Sequence, residues 1–156
     1  MTTTVLGIGL CLPETIRTND WWPKTAIAQW EQKAERLRPI LEAQLREAPP
    51  LRQLSLQAML DDLNDPFRGS KRRAVITAGQ KSSDLEANAG RKALEAAGVD
   101  PSEIDILIVE QVLPDLLSTN NACTVHETLK LNPACLTLST QTQCSGFIIQ
   151  MTMADA

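Results

Sequence analysis

Apolar residues recur with two different spacings along the chain of 156 residues, and each spacing predicts one kind of element. Between Pro23 and Ala48 they return every three or four positions, which is the spacing of one face of a helix that Pro39 would kink. A second stretch with helical spacing runs from Leu51 to Leu63. The pattern therefore predicts a helical hairpin, whose Trp and Leu residues we interpret as packing against the main body rather than binding a cofactor.

Short, continuous apolar runs predict buried strands. The first run, VLGIGLCL, covers Val5 to Leu12 and ends at a proline, and its glycines do not have the spacing of a dinucleotide-binding loop. Later runs predict strands at AVIT (residues 74–77), DILIVEQV (residues 105–112) and Ala134 to Ser139. Because a stretch with helical features precedes the run at residues 105–112, the pattern indicates a parallel sheet and the α/β fold class.

Residues with strong preferences for helix ends mark several boundaries. Ser83 and Glu86 have the spacing of a capping box, and the helix that they would begin runs to Gly98, a natural residue for a left-handed C-terminal position. Asp100 would cap a short helical turn with Pro101 at its first position. These signals predict a helix directly before the strand at residues 105–112.

Two more helices are predicted in the last third of the chain. Asn120 or Asn121 would cap one that contains His126, the only histidine, which we interpret as an ordinary helix residue rather than a catalytic base. A last helix begins near Cys144 and is apolar on nearly all sides, which is typical of a helix in the centre of a fold. Its large apolar residues are Phe147, Ile148, Ile149, Met151 and Met153.

Composition and charge exclude several classes of protein. Hydrophobic residues make up 43% and charged residues 22%, which is ordinary for one globular domain. The net charge of −4 disfavours nucleic acid as a partner. The first fourteen residues have the pattern of neither a signal peptide nor a membrane span, so we expect a cytoplasmic protein without a membrane partner.

Cysteine and basic residues suggest few binding sites. The four cysteines form no C-x-x-C pair, so with one histidine no metal site is expected.

A basic cluster interrupts the otherwise acidic chain in the sequence FRGSKRR. Its solvation at the surface is the ordinary explanation, but contact with a phosphate or an acidic carrier stays open. The cluster consists of Arg68, Lys71, Arg72 and Arg73.

The stretch LSTQTQCSGF places Cys144 where a strand should end and a helix begin. Unpaired N–H groups and the helix dipole favour a thiolate there, and the Cys144 N–H could stabilise an oxyanion. Gly146 would leave room for a substrate. Acyl transfer through a thioester fits these parts, and a small buried residue in a tight turn is the alternative that the local sequence leaves open.

Three longer segments carry a resemblance to a known family. They are GIGLCLPE with IRTND near the start, SSDLEANAGRKALEAAGVDPSEIDILIVEQVLPD, and CSGF. In this order they resemble the first half of a β-ketoacyl carrier-protein synthase III, of the thiolase superfamily. The resemblance implies that residues 1–156 are the N-terminal half of an αβαβα layered fold, with residues 23–66 as a helical insertion.

The resemblance also implies a chemistry. Cys144 stands where the family has its nucleophile, which takes an acyl group from acyl-coenzyme A or an acyl carrier protein and passes it to a malonyl-type or other acceptor in fatty acid or polyketide-type biosynthesis. No cofactor is implied. The family's His and Asn match no position here, so they are expected from a complementary C-terminal half, either a second chain or a nicked remainder. This chain alone is then expected to be inactive, and unstable without that half.

Further roles follow from the same resemblance. In a homodimer or heterodimer of the complete fold, Leu116 or Leu117 would cross into the partner's acyl pocket, with core packing as the alternative. Phe147 would contact substrate. The basic cluster would contact the carrier or coenzyme A, although Phe67 stands where the family has an arginine. The alternative function is a non-catalytic, ketosynthase-like structural or carrier-docking subunit of a heteromeric complex.

Overall fold

A computed structural model describes residues 4–112 and 114–155, and it contains both helices and strands. The chain divides into two compact units. One is Thr15–Val75, and the other combines the segment before it with the segment from Ile76 onward. No helix in the described part of the chain is long and apolar enough to cross a membrane.

The unit Thr15–Val75 contains the predicted helical hairpin. Helix α1 is Lys24–Glu47, and helix α2 is Pro50–Asp62. Strand β1, Ile16–Thr18, pairs antiparallel with strand β2, Arg72–Ala74. The described hairpin is therefore bounded on both sides by a two-stranded ribbon that joins the two ends of the unit.

The hairpin buries a small core between its helices. Leu41 of α1 and Leu56 and Leu60 of α2 are 4–7% exposed and pack together. Pro39 lies inside α1, and the helix continues through it. Pro50 occupies the first position of α2, where its missing N–H costs no hydrogen bond. The predicted spacing of apolar residues thus leads to two helices that pack against each other.

The other unit alternates helices with two parallel strands. Strand β3 pairs with strand β4, with Ile106 opposite Leu136 and Glu110 opposite Thr140, so the predicted parallel sheet is confirmed. Short 3-10 turns precede β3 and α5. The elements are α3 Ser82–Ala97, β3 Ile106–Glu110, α4 Asn121–Leu129, β4 Leu136–Thr140 and α5 Gly146–Asp155.

The core of this unit lies where α4 packs against α3 on one side and against β3 and β4 on the other. Ala122 and Val125 of α4 are at most 2% exposed, and Val109 of β3 is also buried. Because the two strands are parallel, their carboxyl ends, Glu110 and Thr140, lie side by side at one edge of the sheet. The complete cluster is Ala87, Val109, Ala122, Val125, Leu129, Leu131 and Cys135.

Most predicted helix ends are confirmed. Gly98 ends α3 with a φ of 65°, the left-handed conformation that glycine adopts without steric cost. Asp100 and Glu103 form a capping box around the 3-10 turn that begins at Pro101. The Asn120 side chain accepts a hydrogen bond from the Cys123 N–H and caps α4. Local preferences are sufficient to set these boundaries.

The capping box predicted at Ser83 and Glu86 is wrong. The N-cap is Lys81, two residues earlier, so α3 begins at Ser82 and Ser83 lies inside it. The Asp115 carboxylate, from the loop after β3, accepts hydrogen bonds from the N–H groups of Ser82 and Ser83 instead. A cap from a distant segment replaces the local one, and sequence spacing does not reveal such a partner.

One strand prediction is wrong, and another strand is present but shifted by two residues. The segment from Val5 to Leu12 forms no strand, because no strand among the described residues pairs with it, and its large side chains are mostly exposed. It lies along α3, where a Cβ on Gly9 would overlap the Ala89 carbonyl. The strand predicted at residues 74–77 lies instead at residues 72–74, because its register follows from pairing with β1.

Candidate active site

Cys144 lies in a sharp turn between a strand and a helix, as the sequence predicts. Strand β4 ends at Thr140, a 3-10 turn covers Gln143–Ser145, and α5 begins at Gly146. The Cys144 side chain is a free, exposed thiol. The turn therefore presents the sulfur to solvent at the end of β4 within the described part of the chain, rather than burying it in the core of this unit.

The turn depends on an unusual backbone conformation at Gln143. Its φ is 53°, in the left-handed region that residues with a Cβ rarely adopt. Such a conformation costs about 1–2 kcal/mol. Strained residues of this kind concentrate at functional sites, where the surrounding structure holds them. Gln143, directly before the candidate nucleophile, is thus held in a backbone conformation that is unfavourable without support from its surroundings.

Glu110 holds this turn from the neighbouring strand. Its carboxylate, at the end of β3, accepts hydrogen bonds from the Thr140 hydroxyl and the Thr142 N–H. It also accepts one from the Gln143 N–H at 2.7 Å and one from the Thr142 hydroxyl at 3.1 Å. The hydrogen bond from Thr140, followed by those from the turn, lowers the pKa of Glu110 below its usual value, so the group is ionised at neutral pH.

Gly146 permits this arrangement because it has no side chain. A Cβ at this position would lie 2.7 Å from Cδ of Glu110 and 2.9 Å from its Oε2. The sequence predicts that a substrate uses this space, but the Glu110 carboxyl group occupies it. Sequence reasoning missed Glu110, although an acidic residue at the end of an apolar strand, beside the end of a parallel neighbour, is a usable signal.

His126 is held by its own helix and the loop that follows. It lies half-buried in α4, and its Nε2 is 3.1 Å from the Asn132 carbonyl oxygen. This contact fits the interpretation of His126 as an ordinary helix residue. Because His126 is the only histidine in the sequence, no other histidine of these 156 residues can assist Cys144.

Leu116 and Leu117 lie in the loop between β3 and α4, and neither packs into the core of this chain. Leu116 is 60% exposed, and Leu117 is fully exposed. Asp115 anchors the loop to two helices. Its carboxylate caps α3, and its N–H donates to Asn121 Oδ1 of α4 at 3.0 Å. The loop therefore presents two apolar side chains to solvent from a fixed base.

A buried amide joins this loop to α3. Asn121 is 1% exposed, and its Nδ2 donates to Ser82 Oγ at 2.7 Å and to the Glu86 carboxylate at 3.1 Å. Burial raises the pKa of Glu86, and the hydrogen bond from Asn121 opposes that rise. The network explains how a polar residue is tolerated at the centre of the unit.

Phe147 follows the turn at the start of α5. Its ring is 68% exposed and borders an open groove between α5 and β3, together with Ile106, Ile108 and Met151. The groove is open and mostly apolar. Its chemistry suits a hydrocarbon chain rather than a charged group.

The basic cluster belongs to the unit Thr15–Val75, and its members differ in availability. Arg73 is half-buried, donates to Asn19 Oδ1 at 2.8 Å, and lies 5.1 Å from the centre of the Phe67 ring. Arg68 is exposed, with Asp62 3.4 Å away. Lys71 and Arg72 are exposed as well. Arg73 therefore has a structural role within its unit, and the other three present their charges to solvent.

The remaining thiols give no indication of a metal centre. Cys11, Cys123 and Cys135 are free, and Cys135 is part of the core. Within residues 4–112 and 114–155, no three His, Cys, Asp or Glu side chains are grouped to bind a metal ion.

Comparison with curated proteins finds relatives that match part of this chain. The β-ketoacyl-[acyl-carrier-protein] synthase III of Neisseria meningitidis serogroup C is 39% identical over 88 residues, which are 56% of this chain and 28% of that protein. The enzyme of the same name from Methylococcus capsulatus is 34% identical over 87 residues. Over these residues the chain is similar to β-ketoacyl-[acyl-carrier-protein] synthase III. No protein-family model matches it.

Comparison with solved structures confirms the thiolase-like α/β fold. The 3-oxoacyl-[acyl-carrier-protein] synthase III of Aquifex aeolicus aligns over 99% of this chain and 39% of its own, with a TM-score of 0.65 and 21% identity. A variant of OleA from Xanthomonas campestris aligns over 96% of this chain and 36% of its own, with a TM-score of 0.63 and 24% identity. The chain thus spans well under half the length of these proteins.

Proposed function

We propose that this chain carries the nucleophile of a ketosynthase III-like acyltransferase, and that Cys144 is the residue that becomes acylated. One observation carries the proposal: Cys144 is exposed in a strained strand-to-helix turn of a thiolase-like fold. The match to β-ketoacyl-[acyl-carrier-protein] synthase III over 88 residues supports the reaction class. Fatty acid or polyketide-type biosynthesis is the setting that such a reaction serves.

The proposed first step transfers an acyl group to sulfur. The Cys144 thiolate attacks the carbonyl carbon of an acyl thioester, so a carbon–sulfur bond forms and the carbonyl oxygen becomes an oxyanion, which the Cys144 N–H stabilises. Collapse of this intermediate expels the thiolate of coenzyme A or of the carrier, which then takes up a proton. An acyl thioester on Cys144 remains, and no cofactor takes part.

The second step releases the acyl group to an acceptor. A malonyl-type thioester loses carbon dioxide, its carbanion attacks the acyl carbon, and the Cys144 thiolate leaves. This step needs groups that polarise the acceptor, and His126 is engaged with Asn132. We therefore assign the assisting His and Asn to a complementary C-terminal half, either a second chain or a nicked remainder, without which this chain is inactive.

Other parts of the chain would contribute to substrate binding in a dimer of the complete fold. Phe147 and its apolar groove would hold the start of the acyl chain. Leu116 or Leu117 would reach the acyl pocket of the partner protomer, since both are exposed on a fixed loop. Arg68, Lys71 and Arg72 offer exposed charges for the phosphates of coenzyme A or an acidic carrier protein, and Arg73 would support them.

Intact-mass spectrometry tests the proposal. The full-length protein, incubated with acyl-coenzyme A or with an acyl carrier protein, is expected to gain one acyl mass. Cys144→Ser should lose the adduct. Cys123→Ser is the matched control, since Cys123 is also a free, exposed cysteine, and this variant should keep the adduct on Cys144. A folded protein without an adduct on Cys144 would contradict the proposal and favour the non-catalytic structural or carrier-docking subunit.

A further inference from the structure

One carboxylate connects the end of β3 to the backbone immediately before Cys144. We propose that Glu110 is a positioning residue that holds the Gln143–Ser145 turn in the conformation that aims the Cys144 sulfur. This inference rests on the proposed function for its catalytic consequence. Its structural part, a carboxylate that fixes the turn, stands on the hydrogen bonds alone.

Each oxygen of Glu110 has a separate task. Oε1 accepts from the N–H groups of Thr142 and Gln143, the two backbone donors that lead into the turn. Oε2 accepts from the hydroxyls of Thr140 and Thr142. Because Gln143 has the left-handed φ of 53°, the bond to its N–H acts on the strained residue itself. Charge-assisted bonds of this kind are about twice as strong as neutral ones, and they offset the strain.

The surrounding residues make the position of the carboxylate rigid. Gln150 of α5 donates to Thr140 Oγ1 at 3.2 Å, so the hydroxyl that contacts Glu110 is itself held. The missing side chain of Gly146 admits the carboxyl group beside the first residue of α5. Glu110 therefore connects four parts of the site: β3, the end of β4, the turn and the start of α5.

The same contacts argue against Glu110 as the catalytic base. Four hydrogen bonds occupy its acceptor positions. They lower its pKa, first through the Thr140 hydroxyl, and a carboxylate stabilised in this way accepts a proton poorly at neutral pH. A positioning role needs only the acceptor geometry, whereas a base needs the charge and the ability to take up a proton.

This difference defines the conservative variant. In Glu110→Gln, the amide oxygen can still accept from the N–H groups of Thr142 and Gln143. The amide nitrogen can donate to the hydroxyls of Thr140 and Thr142, because a hydroxyl group can reverse its role by rotation. Glu110→Ala removes all these contacts. Glu127→Ala, an exposed glutamate in α4, is the matched control.

Hydrogen exchange measures the structural part without any substrate. In the full-length protein, Glu110→Ala should speed exchange of the Thr142 and Gln143 amides by about tenfold or more, since both lose a charged acceptor. Glu110→Gln and Glu127→Ala should remain within about threefold of the wild type. Unchanged exchange at these two amides in a folded Glu110→Ala protein would overturn the inference.

Acylation and alkylation of Cys144 measure the catalytic part. Misplacing a nucleophile costs about 10- to 100-fold in acyl transfer, so Glu110→Ala should lose this much, and Glu110→Gln should recover most of it with the pH profile of the wild type. Iodoacetamide needs no such orientation. Its reaction with Cys144, read against Cys123 in the same digest, should change by less than about threefold.

The combined results separate the inference from the proposed function. Failure of Glu110→Gln to rescue acylation, or a shifted pH profile, would overturn positioning in favour of a role for the charge. Equal losses of acylation and alkylation in Glu110→Ala would indicate a disrupted fold and would also overturn it. If the wild type is never acylated, the proposed function fails, and the exchange data still decide whether Glu110 holds the turn.

Discussion

The helical hairpin and helix α5 use apolar residues in opposite ways. In the hairpin, apolar residues spaced three or four positions apart meet between two helices, so Leu41, Leu56 and Leu60 are buried. In α5 they follow one another directly, and Phe147 and Ile148 are 68% and 65% exposed. A helix with one apolar face needs one neighbour, whereas a helix that is apolar all round needs neighbours on every side. The described residues provide the single neighbour that each hairpin helix needs, but they do not surround α5.

The largest effect is expected where apolar surface is uncovered. Burial of a large side chain stabilises by about 1.5–3 kcal/mol, so exposed Phe147 and Ile148 should drive self-association when residues 1–156 are expressed alone. We expect that polypeptide to be insoluble, oligomeric or molten. Replacing both residues by serine should increase the monomer fraction in size-exclusion chromatography.

A matched pair of residues in the hairpin controls for the general effect of removing exposed apolar side chains. Leu51 and Leu54 of α2 are 82% and 71% exposed, so replacing both by serine removes a similar number of exposed apolar groups. The hairpin pair should change the monomer fraction less than the α5 pair. If wild-type residues 1–156 form a compact monomer that melts cooperatively, the view of α5 as an uncovered central helix is wrong.

A smaller effect is expected inside the hairpin. Leu56 is 4% exposed, so Leu56→Ala should remove its packing against Leu41 and Leu60 and destabilise the hairpin by about 2–4 kcal/mol. Leu54→Ala, in the same helix but exposed, should cost less than about 0.5 kcal/mol. Hydrogen exchange of the amides in α1 and α2 measures both values, and equal protection in the two variants would show that the hairpin core contributes little.

Local signals predicted much of this fold, because local physics decides those features. Gly98, Asp100 and Asn120 set helix ends through their own conformations and side chains, and the structure has each of them as predicted. The junction that contains Cys144 could be predicted for the same reason, since the end of an apolar run and a small Ser-Gly pair are adjacent in sequence.

Features that depend on distant partners could not be predicted. The strand expected from Val5 to Leu12 needs a neighbour, which the described residues do not provide. Asp115 caps a helix that begins 33 residues earlier in the chain. Glu110 meets Gln143 over a similar separation. In each case the local sequence allows several partners, and only the packing of the unit selects one.

The smallest expected effect compares two residues with the same strained backbone. Lys130 has a φ of 55° at the end of α4, and Gln143 has a φ of 53° before Cys144. Glycine relieves this strain but makes the unfolded chain more flexible, so each change to glycine should alter the free energy of unfolding by no more than about 1 kcal/mol. The two variants should therefore look alike in thermal unfolding.

Acylation should separate these two variants, because only one of the residues belongs to the site. Lys130 ends a helix, where its N–H donates to the Glu127 carbonyl, so Lys130→Gly should leave the acylation rate of Cys144 unchanged. In Gln143→Gly the N–H that donates to Glu110 remains, but the residue gains access to many other conformations, and the sulfur loses part of its fixed direction. We expect the acylation rate to fall severalfold, or up to about tenfold, because orientation is the part of catalysis that this turn supplies. Equal acylation rates in the two variants would mean that the left-handed turn is a tolerated irregularity, like the one at Lys130, and has no part in positioning the thiol.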